Sequence, residues 1–328
     1  SAKAQAAQTA SVMGARRGVF MATLDGWEVC LRPHDAHELW GRRAPRVHPR
    51  PKATLPHTPP PPMPAAPDWN LRLLLDGSPL HGCLRDAARC LADLPAWPDP
   101  DALTARLSPR IARCLGAPVR FVPDPGRPRR RAKDRARSLD AVYDARITVH
   151  GEIPTRAASW HDTLNALVWA TFPRAKRALS ARQYALHRSR VGEVFSQLPG
   201  ARLPAQDALA LLDEGGLLLA ATAHHADALA RCLDEADHSA LGRMCTTGAV
   251  TAWLFGHALH EHLLAGDDSA RAAPVALTVS SHTAEAIDHS LAALLDDPAH
   301  FCDRPTRAAV PLRVLYAPPP DAPTAETL

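Results

Sequence analysis

The chain has 328 residues, 46% of them apolar, and a formal net charge of +4; it can bury a real core in one large domain or two small ones, and its charge alone does not imply a polyanionic partner. Its seven cysteines, Cys30, Cys83, Cys90, Cys114, Cys232, Cys245 and Cys302, are odd in number and form no CxxC pair, which argues against a secreted disulfide framework or a zinc knuckle and for reduced, mostly buried thiols. No apolar run is long enough to span a bilayer and the first two dozen residues lack the basic-then-apolar pattern of a signal peptide, so a cytoplasmic protein with no membrane contact is expected.

Residues 1–66 read as a proline-rich extension or linker, because the prolines at 59–62 and their neighbours favour extended backbone over packing. Within it, Val19 to Cys30 can form a short strand pair around Asp25-Gly26. A helical pattern starts near Pro79, with Leu80, Leu84, Ala87, Ala88 and Leu91 at helical spacing. A second helix is expected over Asp101 to Leu115, then a short strand over Pro118 to Val122. The basic run Arg127 to Arg137 carries seven basic residues and one acid. It could grip a phosphate backbone, but no aromatic residues interleave to stack bases, so a solvated charge run is preferred to a nucleic-acid partner.

Val142 to Val149 alternates as a strand would, with Tyr143, Ile147 and Val149 inward. Leu209 to Ala221 places apolar runs on both sides of Asp213-Glu214-Gly215-Gly216, the pattern of a β-hairpin with a glycine turn. On this reading Asp213 and Glu214 are turn residues at an exposed tip. Helices are expected at 224–236, 254–264 and 283–295, with strands at Val275 to Val279 and Pro311 to Tyr316. Strands and helices mix without regular βαβ alternation. The expected fold is therefore α+β: a helix-rich single domain over 67–318 with a small mixed or antiparallel sheet and a hairpin near 209–221, followed by a tail at 319–328.

The segment GEIPTRAASWHDTLNALVWATFPRAK, Gly151 to Lys176, concentrates polar groups in apolar surroundings. Ser159 is the expected N-cap of a helix, with the Asp162 carboxylate reaching back to a free amide. Pro173 closes that helix and can open the next. His161 and Asn165 fall within its apolar stripe (Trp160, Leu164, Leu167, Val168), so each needs a partner: the other, backbone, buried water or a ligand. Arg156, Arg174 and Lys176 flank the helix. Cations at a helix N-terminus oppose its dipole, so local stability does not explain them, and they offer a rim for an anionic small molecule.

His257 and Glu261, four apart in GHALHEHLL, share one helical face. They form a candidate divalent-metal site if their helix meets His161; the HExxH pattern is absent because residue 264 is Leu264. No GxSxG elbow, GxxxxGK loop or GxGxxG follows a strand, which removes the usual support for α/β-hydrolase, P-loop and dinucleotide chemistry.

PTRAASWHDTLNALVWATFPRAKRAL resembles the signature of domain-of-unknown-function family 3025, a bacterial group with an approximate PTR…WHD.xNALVW..FP..K pattern. DALALLDEGGLLLA and FGHALHEHLL resemble further elements of it. The resemblance spans about Ala66 to Pro318 and implies that Arg156, Trp160, His161, Asp162, Asn165, Trp169, Pro173, Lys176, Asp213, Glu214, His257 and Glu261 sit at family motif positions. The chain departs near its end, where Pro311 to Pro318 replaces a Gly-Ile-Pro-Gly-Trp element. The functional expectation is a site around the WHD..N helix for hydrolysis or binding of an anionic small molecule, with His161, Asp162 and Asn165 as the catalytic groups if it is an enzyme and Arg156, Arg174 and Lys176 binding the anion. The alternative is a non-catalytic scaffold.

Overall fold

The computed structural model describes residues 68–124, 137–191, 194–195, 201–267 and 269–316, together with strands 20–24 and 27–31. The chain divides into two units, 1–63 and 64–328. In the first, β1 (Phe20–Leu24) and β2 (Trp27–Leu31) pair antiparallel with Leu24 opposite Trp27, the strand pair expected around Asp25-Gly26. The remainder of 1–66, the basic run up to residue 136 and the tail 319–328 lie outside the described residues.

The second unit runs α1 (Arg72–Leu75), a 3-10 turn (Pro79–Leu84), α2 (Arg85–Arg89), α3 (Pro100–Leu115), β3 (Arg120–Pro123), β4 (Arg137–Ser138), α4 (Tyr143–His150), β5 (Glu152–Thr155), α5 (Trp160–Thr171), α6 (Pro173–Val191) and β6 (Val194–Phe195). It continues with α7 (Pro204–Gly215), β7 (Gly216–Ala221), α8 (Ala223–Asp234), α9 (His238–Thr246), β8 (Val250–Leu254), α10 (His257–Leu264), β9 (Arg271–Thr278), α11 (Ala284–Asp296) and β10 (Val310–Pro311). This is the helix-rich α+β arrangement expected. No helix among the described residues is long and apolar enough to cross a membrane.

The main sheet has the order β10-β9-β7-β8; β7 is parallel to β9 and antiparallel to β8. Every residue of β7, GLLLAA, is buried, as a central strand covered on both faces must be. On one face Leu217, Leu219 and Ala221 pack with Leu229, Leu233, Leu241, Val250 and Leu254; each such leucine contributes roughly 1.5–3 kcal/mol by leaving water. By strand alternation Leu218 and Ala220, both fully buried, face the other way.

Two sequence readings are corrected. Leu209 to Ala221 is not a hairpin: 204–215 is helix α7 and only 216–221 is strand. Pro204 opens the helix, the Leu203 amide donates to Gln206 Oε1 at 3.0 Å, and Ala208, Leu209 and Leu212 form its buried face. The glycines do not supply a positive-φ turn, since Gly216 has φ −72°. They supply closeness: a Cβ on Gly216 would collide with the Leu212 carbonyl oxygen. Likewise 143–150 is helix α4, not a strand. Tyr143 and Ile147 are four apart, a spacing that fits both periods, and Gly151 at φ 64° provides the left-handed C-terminal cap of a helix. Two smaller shifts follow: the expected helix from 254 begins at His257, after β8, and the last strand is limited to Val310–Pro311 before a 3-10 turn at Leu312–Leu315.

Candidate functional site

Helix α5 is held at its start by three indoles. Trp69 stacks on Trp160 at 5.2 Å, and Trp97 meets Trp160 edge-on at 5.2 Å. The Ser159 hydroxyl accepts from the Asp162 amide, as expected of an N-cap. The Asp162 carboxylate accepts instead from the Arg156 amide at 2.5 Å, and from Arg156 Nε and Nη2 at 2.9 and 2.8 Å. Burial alone would raise the pKa of Asp162; these bonds outweigh it and hold the carboxyl below its usual range. The turn between them passes through Ala158 at φ 51°, a left-handed conformation that costs a residue with a Cβ.

The next turn brings His161 into a cavity of about 320 Å³. His161 and Asn165 do not bond to each other. His161 Nδ1 lies 3.2 Å from Glu261 Oε2, and His161 Nε2 lies 3.0 Å from His257 Nε2. Helices α5 and α10 therefore meet. Asn165 turns the other way: its Oδ1 accepts from Lys176 Nζ at 2.7 Å and its Nδ2 donates to the Tyr143 hydroxyl at 3.1 Å. Lys176, on α6 and almost wholly buried, also pairs with Asp213 at 2.5 Å. Its ammonium sits 5.7 Å from the Trp169 ring and 5.8 Å from the Phe255 ring.

Glycine contacts deliver the remaining groups. The Phe255 and Gly256 amides both donate to the Gly216 carbonyl, at 3.0 and 2.9 Å. A Cβ on Gly256 would come within 2.5 Å of the Gly216 nitrogen and 2.6 Å of the Glu214 carbonyl oxygen. Backbone contact this tight sets the end of α7 against the start of α10, so Glu214 Oε2 lies 3.4 Å from His257 Nε2. His161, Glu214 and His257 each offer one ligand atom, all within 4.8 Å of one another.

Burial holds the His257 imidazole down at about 4, so it is neutral at neutral pH. Glu261 bonding raises His161, while Glu261 itself is lowered by the same contact. Glu214 is raised, mainly by burial. Burial would also raise Asp213, but the Lys176 charge lowers it. Asp144, which lines the same cavity, is pushed up to about 7 by burial and by the Asp213 charge.

The predicted residues thus divide. His161, His257 and Glu261 come together, with Asp162 and Asn165 on the adjacent turns of α5. The three cations do not form a shared rim: Arg156 is held by Asp162, Lys176 by Asn165 and Asp213, and Arg174 lines a second cavity with Arg110, Arg113 and Asp288. Tyr143, Asp144 and Arg202 line the first cavity without having been expected there, and Glu214, expected at an exposed turn, lines it too. The available signal for Glu214 was Pro204 followed by Ala208, Leu209 and Leu212 at helical spacing, which places the acid near the end of a helix.

The model of the family described as "Protein of unknown function (DUF3025)" matches residues 131–319, more than half of the chain. The chain belongs to that family. No curated protein and no solved structure matches it. In this DUF3025 protein all four groups of the His161 cluster lie inside the matched residues. Trp69 and Trp97, which clamp Trp160, lie upstream of them.

Proposed function

We propose that this DUF3025 protein is a metal-dependent hydrolase of a small polar molecule, with a divalent ion held by His161 Nε2, His257 Nε2 and Glu214. One observation carries the reading: three ligand atoms from three separate helices converge at the end of a cavity. Two of the three separations are close to those of a shared ion, since a tetrahedral centre with bonds of ~2.0–2.1 Å separates its ligand atoms by about 3.3 Å: His161 to His257 is 3.0 Å and Glu214 to His257 is 3.4 Å, and all three atoms lie within 4.8 Å of one another. Three protein ligands leave one position for water or substrate, the arrangement of catalytic rather than structural zinc. Glu261 accepts from His161 Nδ1 and so presents the Nε2 lone pair to the ion, the usual outer carboxylate behind a metal-binding imidazole.

The cavity charge favours the same reading. Asp124, Asp144, Asp162, Asp213 and Glu214 line it, against Arg156 and Arg202 with Lys176 behind. A divalent cation balances that excess. When bound, such an ion acidifies a coordinated water to a pKa of roughly 7 and polarises a carbonyl or phosphoryl oxygen. Asp144, titrating near neutrality in the same cavity, is the group suited to exchange the proton. An anionic part of the substrate would meet Arg202, which forms no ion pair among the described residues, rather than Arg156 or Lys176.

The test is thermal unfolding before and after chelation. Removing the ion should lower the melting temperature, zinc should restore it, and His257→Ala should respond to neither. A wild-type melting temperature indifferent to chelator and to added zinc would count against the ion.

A further inference from the structure

The Lys176–Asn165–Tyr143 chain has a direction. An ammonium has donors only, so the Asn165 atom 2.7 Å from Lys176 Nζ must be the carbonyl oxygen. The amide nitrogen is then fixed on the other side, and it donates to the Tyr143 hydroxyl oxygen at 3.1 Å. That leaves the Tyr143 proton as the free end of the chain. Among the described residues nothing accepts it, although the ring lines the cavity that His161, Glu214 and His257 also line. Tyr143 and Asn165 line the same cavity as the three ligand residues, and Asn165 is one helical turn, about 5–6 Å between Cβ atoms, from His161. Hydrogen bonds linked in such a chain polarise one another and strengthen cooperatively.

We infer that Tyr143 is a catalytic residue of this site, donating its hydroxyl hydrogen bond to the oxyanion that develops on a carbonyl or phosphoryl substrate. Asn165 and Lys176 are positioning residues that act through it. This inference rests on the metal-dependent reading above. In the step it serves, a water oxygen forms a bond to the electrophilic carbon or phosphorus as that water gives a proton to Asp144 in the same cavity; a bound ion would supply the acidification of that water. The electron pair of the attacked double bond moves onto its oxygen, which accepts from Tyr143. Tyr143 keeps its proton, and nothing is oxidised or reduced. The donor is in place before the charge appears, which is what makes such groups effective.

Cobalt(II) and inorganic phosphate, a tetrahedral oxyanion, test this on the full chain. Cobalt uptake is read from its visible absorption, and phosphate binding from the change in that spectrum. Wild type and Tyr143→Phe should take up cobalt equally, with Tyr143→Phe binding phosphate about tenfold more weakly, the value of one hydrogen bond to a charged group. Asn165→Leu should weaken phosphate binding in the wild-type background and change little in the Tyr143→Phe background. A merely structural Asn165 would weaken both equally. Equal phosphate affinity in wild type and Tyr143→Phe, or no phosphate binding to cobalt-loaded wild type, overturns the inference while leaving the metal site standing. Failure of wild type to bind cobalt overturns the metal site and this inference with it.

Discussion

Glu261 accepts from Nδ1 of His161, which makes Nδ1 the protonated nitrogen and leaves Nε2 free for an ion. Glu261→Gln keeps an oxygen but loses the charge that makes His161 a better ligand. It should weaken zinc binding by about 10–100-fold, measured by competition with a chelating dye, with little change in the melting of the metal-free protein. Unchanged zinc affinity would reduce Glu261 to a packing residue. Ala158 tests the strain at the entry to α5. At φ 51° its Cβ is disfavoured, so Ala158→Gly should stabilise the protein by about 1 kcal/mol in urea denaturation, and a loss would show that the turn is not strained. His161 and Asn165 were legible as polar residues in an apolar stripe, because 3.6-residue periodicity is a local property. Glu261 was legible as a partner of His161 only on the condition that their helices meet, and Tyr143 was not legible as a partner of Asn165, since it reaches that residue only through tertiary packing.

Among elements, the junction of α7 and α10 decides whether the cluster forms. Gly256 lies against the Gly215-Gly216 backbone with no room for a side chain. Gly256→Ala should therefore destabilise the fold by about 1–3 kcal/mol as overpacking does, and should also weaken zinc binding, because Glu214 and His257 must move apart. Loss of stability with zinc affinity intact would mean that another contact holds the ligands. The bounds of α5, from Ser159 to Pro173, were readable from capping and proline chemistry. Helix α7 was misread because glycine pairs mark both hairpin turns and close backbone approaches, and only the packing partner, Gly256, distinguishes them. Tyr143 was placed on a strand for a similar reason: residues four apart share a face in both helix and strand.

Across the whole molecule, acid stability should reflect a second histidine pair. His260 Nε2 donates to the Leu254 carbonyl at 3.2 Å, so its Nδ1 accepts from His81 Nδ1 at 2.9 Å and both rings are neutral. Burial holds His81 down at about 4 and His260 well below its ordinary value. A folded value below the unfolded 6.5 means that the stability from His81 is fully present above pH 6.5 and is lost as pH falls through 4. For His81 the full loss is on the order of 3 kcal/mol. Replacing both residues by leucine should flatten the pH dependence of the urea midpoint between pH 7 and 4.5 relative to wild type. Parallel curves would show that the pair does not carry the acid sensitivity. The α+β class was legible from mixed helical and strand patterns, whereas the parallel pairing of β7 with β9 depends on contacts between segments more than fifty residues apart.

The central claim is that His161, His257 and Glu214 bind one divalent ion. Elemental mass spectrometry of freshly purified, untagged protein tests it most directly, beside His161→Ala, His257→Ala and Glu214→Gln. The account predicts about one transition-metal ion per wild-type chain and little in any of the three variants. Metal-free wild type, or an ion retained in all three variants, would contradict it.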